Sequence, residues 1–97
     1  MIYTYQHIQI PEAVNAEVLI PEMSEIIDFL VVPTVVGVDH LYALVRVNDE
    51  NEGYDKWMFS IYPHGYQMTD QGSREEYKGS FVVNRQIVHL YGYKTFD

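Results

Sequence analysis

The sequence feature that most constrains the fold is the repeated interruption of short apolar runs by proline, glycine and asparagine. β-Branched and aromatic residues occur in short runs, and each run ends at a residue that breaks or turns a strand. Pro11 ends the first run, Pro21 the second and Pro33 the third. Strands are typically about five to six residues long, whereas helices usually need about ten or more. The spacing therefore favours an all-β fold.

Alternation of apolar and polar side chains places the strands within these runs. In residues 14–20 and again in residues 41–47, every second side chain is apolar, which is the period of a half-buried strand. Asn84-Arg85 separates two further runs and predicts a two-residue hairpin turn. The predicted strands cover residues 2–10, 14–20, 25–32, 41–47, 57–62, 79–84 and 86–93.

The segment between Pro21 and Pro33 admits two interpretations. Apolar residues at positions 23, 26, 27 and 30 follow helical spacing, whereas Ile27, Phe29 and Val31 follow the period of a strand. The β-branched content of the segment favours the strand. The helix stays open as the alternative on the sequence alone.

Length and composition indicate one globular domain over residues 1–97. The chain has 97 residues, of which 47% are hydrophobic and 21% are charged, so it can bury one modest core. Consecutive strands usually pair with each other. We therefore expect an antiparallel meander of about seven strands, folded into a small sandwich or open barrel.

Charge and cysteine content exclude several classes of function. Fourteen Asp and Glu oppose six Lys and Arg, giving a net charge of -8, which disfavours direct nucleic-acid binding and anionic membranes. Ten of the carboxylates fall in residues 1–55. Cysteine is absent, so disulfides and thiol catalysis are excluded. No apolar run is long enough to span a bilayer, and we expect a cytoplasmic protein.

The sequence predicts no catalytic site, no bound metal and no cofactor. The four histidines show no metal-ligand spacing, and neither a serine nucleophile motif nor a glycine-rich phosphate loop is present. The strongest single candidate is His64, which lies in a loop between Pro63 and Gly65 and is flanked by Tyr62 and Tyr66. Loops that follow rigid strands often carry functional residues. An enzyme built around His64 is the less favoured alternative.

Aromatic residues predict a binding surface. Nine Tyr, four Phe and one Trp cannot all fit a small core, so some tyrosines must lie on outer faces, where they favour a protein partner or self-association. Carboxylates would face a basic protein, whereas arginines beside tyrosines would hold the phosphate and base of a nucleotide. The candidate binding residues are Tyr62, His64, Tyr66, Arg74, Arg85, Glu17, Glu22 and Glu25.

Residues 77–83, followed after a short turn by residues 87–91, read Tyr-Lys-Gly-Ser-Phe-Val-Val and Ile-Val-His-Leu-Tyr. This pattern resembles the C-terminal signature of a family of small β-rich proteins of unknown function encoded by bacteriophages and prophages. Residues 8–11 and 41–45 resemble earlier strands of that family in the same order. The resemblance implies a phage or prophage origin, a β-rich fold and a strand over residues 25–32. With the cytoplasmic location expected above, a phage origin places the protein in an infected bacterium.

Together these features predict a non-catalytic phage accessory protein that binds a host or self protein through an acidic, tyrosine-rich sheet surface. Inhibition of host defence is one role for such a protein, and we expect a homo-oligomer. Two alternatives remain. The protein could sequester a nucleotide-type small molecule, or it could be a minor virion or assembly component.

Overall fold

The computed structural model describes residues 2–67 and 75–95, and these residues form seven β-strands and no helix. The strands are β1 (Tyr3–Ile10), β2 (Ala16–Pro21), β3 (Glu25–Pro33), β4 (Asp39–Asn48), β5 (Tyr54–Pro63), β6 (Glu76–Val83) and β7 (Gln86–Lys94). Within that part of the chain, no helix is long and apolar enough to cross a membrane.

The strands form two antiparallel sheets that pack face to face as a sandwich. The three-stranded sheet has the order β1-β4-β3 and the four-stranded sheet has the order β2-β5-β7-β6. The predicted all-β fold with seven antiparallel strands is confirmed. The expectation that consecutive strands pair throughout is wrong, because among pairs of consecutive strands only β3–β4 and β6–β7 are neighbours in a sheet. The chain instead changes sheets repeatedly, which brings the apolar faces of both sheets together.

The segment with two interpretations is a strand, and a bulge changes which of its residues face the core. Residues of β3 pair with β4, but the register shifts between Ile26 and Asp28, which leaves Ile27 as a bulge. The extra residue places Ile26 and Phe29, three positions apart, on the same inner face, where both pack against the core. The inward side chains of β3 are therefore Ile26, Phe29 and Val31, a set that neither predicted period contains in full.

The predicted hairpin between β6 and β7 is confirmed. Val83 pairs with Gln86, so the loop has two residues, Asn84 and Arg85. Their φ angles are 51° and 67°. Positive φ at both central positions is characteristic of the type I′ turn, whose twist matches that of paired strands.

The core lies between the two sheets and contains side chains from both of them. Ala43 and Val45 of β4 and Phe59 and Leu90 of β5 and β7 are completely buried. Trp57 stacks on Phe59 at 5.7 Å between ring centroids. The Cα trace measures 44 × 39 × 16 Å, so the molecule is a thin slab. Each sheet therefore presents a broad outer face.

Gly92 of β7 lies opposite Phe59 of β5, and the absence of a side chain at this position leaves room for the Phe59 ring. A Cβ at this position would lie 2.4 Å from Cδ1 of Phe59, which is itself fully buried. We expect Gly92→Ala to lower the free energy of unfolding by about 1–3 kcal/mol, because the ring has no space to move into. Urea denaturation measures this. The control is Gly53→Ala, whose Cβ would meet only the movable end of the Glu22 side chain; equal losses for the two variants would contradict the packing argument.

Candidate functional site

Three neighbouring strands of the four-stranded sheet place polar and aromatic side chains on its outer face. Phe59, Ile61 and Leu90 are buried in the core, so the residues that alternate with them face outward. Two adjacent rows result from the register. One row contains Tyr62, His89 and Ser80, and the other contains Ser60, Tyr91 and Tyr77. With His64 and Tyr66 from the loop after β5, these outward residues except Ser60 form what we call the tyrosine–histidine patch.

The tyrosine rings of the patch contact each other in series. Tyr66 lies 5.0 Å from Tyr62, Tyr62 lies 5.6 Å from Tyr91, and Tyr91 lies 5.5 Å from Tyr77, all between ring centroids. Two of the contacts are edge-to-face, the geometry that the quadrupole of an aromatic ring favours. The rings thus form one continuous series across three strands, in which Tyr62 is 8% exposed and the two end rings, Tyr66 and Tyr77, are exposed.

Hydrogen bonds hold the histidines of the patch in one arrangement. His64 Nδ1 lies 3.1 Å from His89 Nε2, and His89 Nδ1 lies 2.7 Å from the Ser80 hydroxyl. That hydroxyl also bonds the hydroxyl of Tyr77. Both nitrogens of His89 are therefore engaged, which fixes the orientation of its ring.

Glu75 forms hydrogen bonds to two side chains on the outer face of β5. Its carboxylate accepts hydrogen bonds from the Tyr62 hydroxyl, at 2.7 and 3.0 Å, and from the Ser60 hydroxyl, at 2.8 Å. Ser60 is only 1% exposed and also accepts the backbone N–H of Asn15 at 2.8 Å. Burial, and then the hydrogen bond to Glu75, raises the pKa of the Tyr62 phenol above its ordinary value of 10.0.

The structure brings some of the predicted site residues together. Tyr62, His64 and Tyr66 are all part of the patch, as their closeness in sequence suggested. Arg85 is exposed in the turn between β6 and β7. Arg74 lies outside the described residues, so its predicted role in binding stays a prediction.

The three predicted carboxylates occupy different surfaces. Glu17 lies on the outer face of the four-stranded sheet, 4.0 Å from the Lys56 ammonium. Glu25 lies on the three-stranded sheet and forms a 2.6 Å ion pair with Arg46. Glu22 follows β2 in a turn. These carboxylates do not form one acidic surface with the patch, and two of them face a base.

Sequence reasoning did not assign Glu75, Tyr77, Ser80, His89 or Tyr91 to a site. The alternation in residues 86–94 does place His89 and Tyr91 on one face, opposite Leu90. Their partners come from strands paired across 9 to 31 positions in sequence, and no local signal specifies that register.

The patch supports recognition more readily than metal binding. Within residues 2–67 and 75–95, no group of three His, Cys, Asp or Glu side chains is placed to hold a metal ion. The Ser80–His89 bond has the length of a nucleophile–base contact, but a second histidine stands where a carboxylate usually orients the base. The exposed rings can stack, and the imidazoles and hydroxyls can exchange hydrogen bonds with a partner.

A separate cleft of about 320 Å³ lies between the sheets at the end of β1. Glu12 and Asp39 contribute carboxylates to it, and its other polar side chains include Gln9 and His40. None of the described residues that line it is Arg or Lys. A cleft with this charge repels phosphate, so it does not support the nucleotide alternative.

No family model matches the chain, and neither a curated protein nor a solved structure matches it. Its function therefore has to be inferred from its own residues.

Ionisation of Tyr62 should weaken the fold at high pH. Because folding raises its pKa, its contribution is fully present below pH 10 and is lost as the pH rises beyond that value. We expect the tyrosinate absorbance of the native protein to include one phenol that titrates above pH 10, and this phenol should be missing from Tyr62→Phe. A Tyr54→Phe control, altered at an exposed ring, should keep it; identical titrations of the two variants would contradict the assignment.

Removal of the Ser60 hydroxyl should destabilise the support of the patch. Ser60→Ala removes a hydroxyl from a residue that is 1% exposed, and the Asn15 N–H and the Glu75 carboxylate each lose one hydrogen bond. We expect a loss of about 1–3 kcal/mol in the free energy of unfolding, measured by denaturation. Ser80→Ala, at an exposed hydroxyl, should change it by no more than about 0.5 kcal/mol. A larger effect at Ser80 than at Ser60 would overturn this ranking.

Proposed function

We propose that this protein is a non-catalytic phage accessory protein that binds a protein partner through the tyrosine–histidine patch. The observation that carries the proposal is the unbroken series of four tyrosine rings, three on one sheet face and one, Tyr66, in the loop after β5. Tyr66 is 52% exposed and Tyr77 is 59% exposed, so both ends of the series are accessible. The sequence resemblance to phage-encoded proteins supplies the origin and the expected location, the cytoplasm of an infected bacterium.

The chemistry of the patch favours a protein over a small ligand. Tyrosine provides a large contact area with a polar end, and it loses little conformational entropy on binding. Here the rings of Tyr62 and Tyr91 are already held by contacts on two sides. A surface ordered before binding avoids part of the cost of association. These properties are typical of the residues that dominate protein interfaces.

The charge of the protein favours a basic partner. The net charge of -8 attracts a positively charged surface over long range. This attraction comes from the whole molecule, because Glu17 and Glu25 lie on different sheets and do not form one acidic surface. A host protein that uses such a surface to bind nucleic acid would be blocked when the patch covers it. Inhibition of a host defence protein is the role that we propose on this basis.

The test is native mass spectrometry of the tagged protein after incubation in a lysate of the bacterial host. We expect a discrete host protein at fixed stoichiometry. The double variant Tyr66→Ala/Tyr77→Ala should lose at least about 90% of that complex, because two exposed anchor rings each contribute on the order of 1–2 kcal/mol.

The matched control is Tyr54→Ala. Tyr54 is 67% exposed on the same sheet face, at the start of β5, about 26 Å along the strand from Tyr62. This variant should retain the complex. Retention by the patch variant, or equal loss in both, would refute the assignment to the patch. A bound mass of a few hundred daltons with no protein partner would instead favour nucleotide sequestration, and recovery in purified virions would favour an assembly role.

A further inference from the structure

The four edge strands of the sandwich differ in how they are protected against pairing with another strand. The sheet orders place β1 and β3 at the edges of one sheet and β2 and β6 at the edges of the other. An edge strand exposes backbone N–H and C=O groups, and natural proteins block such edges with charges, prolines and bulges.

Three of the four edges carry such blocks. Strand β3 has a bulge at Ile27 and carries Glu25 and Asp28. Strand β6 has a register shift between Tyr77 and Gly79 and carries a lysine. Strand β2 carries a glutamate and ends at a proline.

Strand β1 carries none of these blocks. Its eight residues, Tyr-Thr-Tyr-Gln-His-Ile-Gln-Ile, include no proline and no Asp, Glu, Lys or Arg. Its register with β4 runs without a shift from one end to the other. It is therefore a long, regular edge with no feature that prevents a further strand from pairing with it.

The backbone of β1 also has a defined orientation. The Asp49 N–H donates to the Ile2 carbonyl at 2.9 Å, and the Ile2 N–H donates to the Asp49 carboxylate at 3.1 Å. Ile2 thus directs both its N–H and its C=O toward Asp49, the residue that follows β4. Because this direction alternates along an antiparallel strand, Tyr5, His7 and Gln9 direct theirs away from β4, toward the edge.

The charge of the chain indicates which strand would occupy this edge. Two copies of a chain with a net charge of -8 repel each other over most of their surfaces. Residues 2–10 contain no carboxylate, so β1 is the edge at which two copies can approach with the least repulsion. A strand pairing antiparallel with its own copy is also self-complementary, as a twofold dimer requires.

We infer that β1 pairs antiparallel with β1 of a second copy, which joins two three-stranded sheets into one sheet of six strands. The twofold axis passes through Gln6, so that Tyr5 lies opposite His7 of the partner subunit and His7 lies opposite Tyr5 of the partner subunit. In this register the outward N–H and C=O groups meet, Gln9 stays within the paired region, and Pro11 falls outside it. A centre at His7 would shorten the ladder and set two imidazoles face to face.

The first test compares two substitutions of one residue by the mass of the particle in solution. His7→Pro removes an N–H that points to the partner and leaves the ladder to β4 intact, so the dimer should dissociate at least about 100-fold more readily. His7→Ala keeps that N–H and should stay dimeric. A monomeric wild type, or a His7→Pro variant that remains dimeric while folded, would overturn the inference.

The second test does not depend on proline being tolerated. The chain has no cysteine, so one introduced cysteine can form a disulfide only between copies. In Gln6→Cys the two Cα atoms lie about 4.5 Å apart across the axis, within the range of a disulfide. In the matched control Thr4→Cys they lie about 14 Å apart. We expect mild oxidation to link Gln6→Cys at least about tenfold faster than Thr4→Cys, because cysteines whose Cα atoms are about 14 Å apart cannot form a disulfide without movement of the backbone.

Equal rates of linkage in the two cysteine variants, or no linkage of Gln6→Cys, would overturn this register. The inference is independent of the proposed function, because β1 and the tyrosine–histidine patch belong to different sheets. The Tyr66→Ala/Tyr77→Ala variant should therefore remain dimeric, and His7→Pro should still capture the protein partner.

Discussion

Burial of the inner faces of the two sheets against each other is the interaction on which the rest of the structure depends. Ala43, Val45 and Phe59 are completely buried there, and the Cα trace is only 16 Å across in its shortest dimension. Every second residue of each central strand must then face outward. The large number of tyrosines follows this constraint, because a core so thin has no room for them, and their amphipathic rings tolerate an exposed sheet face. The core thus determines which side chains are available for recognition.

Rigid strands turn these outward residues into a site. The register of β5, β7 and β6 places Tyr62, His89 and Ser80 in one row, and the hydrogen bonds along the row fix the ring orientations. Glu75 connects Tyr62 of this row to the buried Ser60, so the order of the surface depends in part on a buried hydroxyl. A surface arranged in this way is ordered before any partner arrives, which lowers the entropic cost of binding.

The two proposed contacts are compatible with each other in one assembly. The twofold axis is perpendicular to the three-stranded sheet, so the rotation keeps the outer and inner faces of that sheet on the same sides in both copies. Both copies of the tyrosine–histidine patch would therefore lie on the same side of the dimer. Such a dimer would present two binding surfaces to a partner that is itself an oligomer. A second attachment of this kind raises the effective affinity without any new type of contact.

The number and approximate position of the strands were predictable because alternation and turn chemistry are local. Asn84-Arg85 specified its hairpin for the same reason, and Tyr62, His64 and Tyr66 could be grouped because they are close in sequence. The bulge at Ile27 breaks the alternation of β3, so Ile26 and not Ile27 shares the inner face with Phe29, and local alternation did not predict this. Pairing of β1 with β4, and so the sheet order, was decided only in the tertiary structure, as was the meeting of His64 with His89. These contacts join distant segments, and they form because both sheets must bury an apolar face, a condition that no single segment of the sequence contains.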